Sequence, residues 1–254
     1  MMVLPLSFFI TAVLYAAVGF GGGSTYNALL VLAETDYRIL PAVSLLCNLI
    51  VVSGGAYRFA RAGYVDLRRI APWVITSVPA ALIGGMLNIS ETLFVGLLGF
   101  SLLAAGARML WLENSGGNSE RNHSINQYRV LPPIIGAGLG LLAGMVGIGG
   151  GVFLAPVLHL LRWDETRKIA ATCSVFILAN SLAGLTGHMM KFSNTELGSI
   201  TAYWYLFPAV LIGGQIGSYM GAKRLNPDIL RLLTACLILY VSARLLWRWW
   251  GIMV

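Results

Sequence analysis

Acidic side chains are missing from every long apolar stretch of this chain. All 10 Asp and Glu residues lie outside the uncharged runs at 1–33, 39–57, 70–90, 92–107, 130–161, 169–190, 197–222 and 232–243. Carboxylates inside a membrane usually mark proton relays or cation sites. Their absence points away from both and suits an anionic cargo, which buried carboxylates would repel. Charge of either sign is scarce, at 11% of residues, with 57% hydrophobic residues and a mean hydropathy of +0.78. Soluble domains carry about 25% charged residues, so an ordinary soluble core is excluded. Cysteine and histidine are few, three of each. Cys47, Cys173 and Cys236 sit in apolar surroundings without CxxC spacing, which excludes a zinc site or a disulfide framework and leaves buried free thiols. No metal or other cofactor is expected. The first 20 residues lack a positively charged leader, so they are read as part of the mature fold and not as a signal peptide.

What the chain has is length in its apolar runs. A membrane-crossing helix needs about 20 such residues, and the runs above, with the fourth extended to about 112 and the eighth to about 250, give eight hydrophobic segments. The only long polar stretch is 113–129, rich in Gly, Asn and Ser, a flexible linker by composition. The parts on either side repeat. Gly19-Phe20-Gly21-Gly22-Gly23 matches Gly147-Ile148-Gly149-Gly150-Gly151, and Pro79–Gly85 matches Pro208–Gly214. Ala107-Arg108-Met109-Leu110-Trp111 matches Ala243-Arg244-Leu245-Leu246-Trp247. The offsets are 128, 129 and 136. Three ordered matches indicate an internal duplication, with a first repeat at 1–112 and a second at 130–254. The expected fold is an all-α polytopic membrane protein of two homologous four-segment repeats.

The 17 Lys and Arg against 10 Asp and Glu would suggest nucleic acid in a soluble protein. Here the basic residues fall between apolar runs and read as topology signals, and nucleic-acid binding is excluded. The first and fifth segments decide the topology. Each exceeds 30 uncharged residues and each is cut by a glycine triplet, whereas about 20 helical residues already span roughly 30 Å. If all eight segments cross, giving parallel repeats, the basic residues divide 10 to 7. If the first and fifth enter and return on the same side, they divide 13 to 4, with Arg38, Lys191, Arg244 and Arg248 on the minority side. The positive-inside rule favours the second arrangement. It has three crossings per half, hence inverted repeats, the architecture of alternating-access carriers. Both termini then face away from the cytoplasm.

The triplets are also the main site candidates. A helix that starts inside the membrane presents free N–H groups and the positive end of its dipole, a ready anion site. Backbone at Gly21, Gly22, Gly23 and Ser24, and at Gly149, Gly150, Gly151 and Val152, would form it; packing of small residues is the plainer alternative. Ser24 or Thr25 can cap the first new helix, while Val152 and its neighbours offer no side-chain donor, so donors are expected mainly from the first half. Asn27 is a further candidate. In the second and sixth segments Ser44, Asn48 and Ser53, and Thr172, Ser174, Asn180 and Ser181, either line the path or join helices. Gln215 follows the second Ile-Gly-Gly. His188 is expected at the interface. Ser181 and His188 lie two helical turns apart, about 10 Å along the axis, too far for a nucleophile and its base, and no enzyme is expected.

The paired GxGGG motifs at Gly19–Gly23 and Gly147–Gly151, the mid-chain polar loop and the eight hydrophobic segments together resemble the sulfite exporter TauE/SafE family. The resemblance covers essentially the whole chain. It implies a multi-pass permease of a bacterial-type inner membrane, embedded in the lipid bilayer and carrying sulfite, an organosulfonate or a related small anion. A proline that follows the glycine turn in this family stands at Pro156 in the second half, and Ala28 replaces it in the first. A passive anion channel and a carrier of small carboxylates remain the alternatives, and homo-oligomerisation is left open.

Overall fold

A computed structural model describes residues 3–111, 131–161, 163–164, 166–192 and 194–223, with 235–236, 239–240, 242–243, 245–247 and 249–251. The 113–129 linker and much of the eighth segment lie outside these residues. Ten helices are described in order: α1 Val3–Val18, α2 Gly23–Leu32, α3 Leu40–Arg61, α4 Leu67–Met86, α5 Glu91–Trp111, α6 Leu131–Val146, α7 Gly151–Leu160, α8 Thr166–Lys191, α9 Asn194–Thr201 and α10 Leu206–Lys223. No strand occurs among the described residues. Three helices, Leu40–Arg61, Leu67–Met86 and Arg167–Lys191, are long and apolar enough to cross a membrane; several others are shorter and equally apolar.

Local chemistry sets the boundaries. Pro41 opens α3, where its missing N–H costs nothing, and Arg58 and Arg61 sit in its last turn, against the negative end of the dipole. Asp66 caps α4 by accepting from the backbone N–H groups of Arg68 and Arg69 at 3.1 and 3.3 Å. The seventh apolar run, read as one segment from 197, is divided instead. Between α9 and α10 the amides of Ala202, Tyr203, Trp204 and Leu206 bond three residues back, to Ser199, Ile200, Thr201 and Tyr203. This tight 3₁₀-like turn interrupts the helix despite its apolar composition.

The first and fifth segments are each two helices joined at the glycines. The first pair folds back on itself: the Phe8 ring of α1 stacks on Tyr26 of α2 with centroids 4.7 Å apart. Had the helix continued straight, 18 residues would separate those rings by about 27 Å. α3 and α8 run antiparallel. Gly19 lies beside Phe59 near the end of α3 and Ala170 near the start of α8, whereas Leu45, early in α3, lies beside Gly184, late in α8.

The two Ile-Gly-Gly stretches do the same work on opposite partners. Gly84 faces the backbone of α6 at Leu141, and Gly85 faces α8 at Gly184. Gly213 faces the backbone of α1 at Phe9, and Gly214 faces α3 at Val51. Each glycine pair therefore seats its helix on the other half of the chain. Gly140 and Gly144 of α6 complete one seam against Ser77 and Ala81 of α4; Gly217 completes the other against Val13 of α1. Between helices in lipid there is little hydrophobic driving force, and close backbone approach through small residues supplies van der Waals contact instead. Outside these seams the surface is apolar, with Leu6, Ile10, Ile75, Ile83, Leu211 and Ile212 exposed.

A Cβ at Gly140 would run into the Ser77 backbone, which cannot move aside as a side chain can. Gly140→Val should therefore cost about 1–3 kcal/mol, read as a lower Tm of the purified protein. Gly138→Ala on the same helix, with nothing within 4 Å of the new methyl, should leave Tm unchanged.

Candidate functional site

Both chain breaks need glycine for two separate reasons. The first is conformation. Gly19 and Gly22 have φ of +88° and +87°, and Gly147, Gly149 and Gly150 have φ of +74°, +77° and +79°, a region in which β-branched residues are outliers. The second is proximity. A side chain on Gly21 or Gly23 would overlap the Asn48 amide, and one on Gly151 would overlap Ile177.

Asn48 is the point where the breaks meet. It is fully buried near the middle of α3. Its amide lies over Gly21 and Gly23 of the first break, and its Nδ2 donates to the Ile148 carbonyl of the second at 3.1 Å. Asn27, midway along α2, ties the breaks again: its Nδ2 donates to the carbonyls of Val146 and Gly147 at 2.5 and 3.3 Å. Ser44, one turn before Asn48, donates to the Gly23 carbonyl at 2.8 Å. Ser174 shares its hydroxyl between the carbonyls of Gly19 at 3.0 Å and Ala170 at 2.9 Å, which puts it at the far end of the first break.

Several expectations are corrected. The cap of α2 is Gly22 in a left-handed conformation, with no side-chain hydrogen bond from Ser24 or Thr25. Both hydroxyls pair instead with Tyr15 of α1, at 3.3 and 2.8 Å, because the fold-back brings α1 alongside. Gln215 does not reach the breaks: it lies on the exposed side of α10, where Arg58 donates to its Oε1 at 2.6 Å. His188, near the end of α8, is 2% exposed, with Nε2 donating to the Gly144 carbonyl at 2.9 Å across the α6–α8 seam.

The donors expected from the first half are thus largely engaged within the protein, and the buried polar atoms left over come from both halves, Tyr26 Oη and Asn27 Oδ1 of the first among them. Among the described residues both amide atoms of Asn180, the Ser181 hydroxyl and Oδ1 of Asn48 are buried without a protein partner. Ser181 lies against Gly149. Asn180 falls on the helix face shared by Phe176 and Gly184, one turn to either side; Phe176 touches Gly150 and Gly184 touches Gly144. A buried polar atom without a partner costs about 1–3 kcal/mol, and several grouped around one chain break call for a polar occupant. Two helices add to this. The first turns of α2 and α7 start at Gly23 and Gly151, and the leading N–H groups of any helix have no acceptor within it. Tyr15 and the Ile148 carbonyl were not candidates from sequence, whereas Ser181 was one of the hydroxyls noted in the sixth segment.

These features define the class: an integral membrane protein of apolar helices, broken twice at buried glycines around a polar centre. The family model for Sulfite exporter TauE/SafE matches residues 4–245, and the chain belongs to that family of membrane transporters. It is 31% identical over 249 residues to the probable membrane transporter protein y4hK of Sinorhizobium fredii, covering 96% of this chain and 97% of that protein. A probable membrane transporter protein of Haemophilus influenzae is 24% identical, with 92% and 91% covered. MamO of Paramagnetospirillum magneticum, also a probable membrane transporter protein, is 23% identical over 72% of this chain and 34% of its own length. No solved structure matches.

Proposed function

We propose that the protein is a multi-pass carrier of the bacterial inner membrane that moves a small oxyanion, sulfite or an organosulfonate, by alternating access at the two glycine breaks. The observation that carries this reading is the grouping at Asn48: one buried amide touches both breaks, the partnerless Ser181 lies against Gly149 of the second, and the partnerless Asn180 precedes it in α8. Amide and hydroxyl donors with the leading N–H groups of two helices can hold an anion without a buried Lys or Arg. Pairs of broken helices facing a central site are the usual construction of carriers with inverted repeats. The reciprocal seams of Gly84-Gly85 and Gly213-Gly214 fit a two-fold relation, and the antiparallel run of the corresponding helices α3 and α8 supports an inverted one. α2 then returns the chain to the side where α3 begins, and α7 to the side where α8 begins.

The test is anion flux in proteoliposomes, with sulfite, sulfate, thiosulfate, sulfoacetate and small carboxylates, with and without a proton gradient. Saturable sulfite or sulfonate flux with counterflow is expected. Flux that never saturates would make the protein a channel, and preference for carboxylates would reassign the cargo. Reporter fusions test the topology: a fusion within 113–129 should report cytoplasm and a C-terminal fusion the opposite side. A cytoplasmic C-terminus would overturn the inverted arrangement.

A further inference from the structure

A cavity of about 320 Å³ lies away from the Asn48 centre, where α3 begins and α4 and α8 end. Its lining includes Tyr37, Arg38, Pro41, Asn88, His188 and Lys191. Two cations face it and no carboxylate does; Asp36 and Glu91 flank the lining residues in sequence without joining them. Arg38 lies over the Tyr37 ring, 5.8 Å from its centre, and Lys191 reaches the Leu87 carbonyl at 2.8 Å, so both are held at the rim. His188, 2% exposed, lines the cavity, and its Nδ1 has no partner among the described residues. The inner wall is Pro41, which packs directly on Gly147 at the start of the second break.

We propose that this cavity is a second anion site, an outer vestibule that gathers small oxyanions beside the second glycine break. It builds on the carrier reading, but its charge and shape stand without it. Arg38 and Lys191 are two of the four basic residues that the 13-to-4 division leaves on the non-cytoplasmic side. A concave site lined by one sign of charge focuses field lines and raises the local concentration of a counter-charged solute, with effects on association of about tenfold or more. Pro41 against Gly147 leaves only the thickness of one packed contact between this cavity and the break. An anion held here would be next to the second break when that contact opens.

The experiment reads the cavity without relying on transport. Asn88 is exposed at its mouth. Of the native thiols Cys47 and Cys173 are buried and Cys236 is exposed, so Asn88→Cys is made with Cys236→Ser in the full chain. Its reaction with a negatively charged sulfonate thiol reagent is compared with that of a positively charged analogue of the same size. The anionic reagent should react about tenfold faster at low salt. Arg38→Gln should cut that preference several-fold, as should Lys191→Gln, with Lys191→Arg restoring it. Sulfate at matched ionic strength should slow the anionic reagent in the Asn88→Cys protein and lose that effect in Arg38→Gln. Equal rates for the two reagents, a preference untouched by both Gln variants, or no protection by sulfate would overturn the site. Because flux is not measured, the vestibule can fail while the carrier reading stands, and the carrier reading can fail while the vestibule stands.

Discussion

Gly150→Val should abolish sulfite flux in a protein that still reaches the membrane. The position has φ of +79°, which costs a non-glycine residue about 1–3 kcal/mol. Its Cβ would also come within 2.9 Å of Phe176 Cε1 and 3.2 Å of Ala143 Cβ, adding about 1–3 kcal/mol of overpacking. The turn must then open or shift, and a shift of the second break moves the Ile148 carbonyl away from Asn48. Initial flux into proteoliposomes should fall at least about tenfold, equivalent to roughly 1.4 kcal/mol in the barrier. Gly150→Ala, smaller and unbranched, separates a failed fold from a failed site: it should give monodisperse protein with reduced flux. Wild-type flux in monodisperse Gly150→Val would make the breaks packing devices alone.

Asn48→Leu and Asn180→Leu should both lose transport, but only the first should lose stability. Asn48 donates to the Ile148 carbonyl, so Leu there strands a buried acceptor, at about 1–3 kcal/mol. Asn180 has no protein partner among the described residues, so Leu there removes a polar burden and should leave Tm unchanged or raised. Thermal unfolding in detergent and flux in liposomes, measured on the same preparations, read the two effects separately. A stable Asn180→Leu protein with full flux would remove that amide from the path. A lower Tm for Asn180→Leu than for Asn48→Leu would show that the bonding roles have been assigned the wrong way round.

The class of this protein could be read from composition, because lipid leaves few ways to satisfy a backbone, and the paired glycine motifs carried the resemblance to its family. The breaks could be read too, since no run of over 30 apolar residues needs three adjacent glycines unless the chain turns. Which polar group bonds which was not legible. Ser24 and Thr25 look like caps in sequence, yet Tyr15 claims them, and that pairing exists only because α1 and α2 fold together. Gln215 looked like a site residue because it follows the second Ile-Gly-Gly; its actual partner, Arg58, lies 157 residues away in sequence. Nothing in sequence showed that His188 would be enclosed by the glycine-lined seam between α6 and α8. Periodicity and composition report what a residue prefers locally, while partnership across halves is decided by the fold.

The crossed glycine seams bear on how such a chain is made. Gly84 and Gly85 rest on α6 and α8, which the ribosome has not yet synthesised when α4 enters the bilayer, and α1 awaits Gly213 and Gly217 of α10. The first half therefore emerges with its seams open to lipid or to the insertion machinery, and it can complete its own packing only after the second half follows. Complete packing is therefore expected only late in biogenesis, and a chain truncated at the linker would be expected to meet quality-control proteases before it meets its fold.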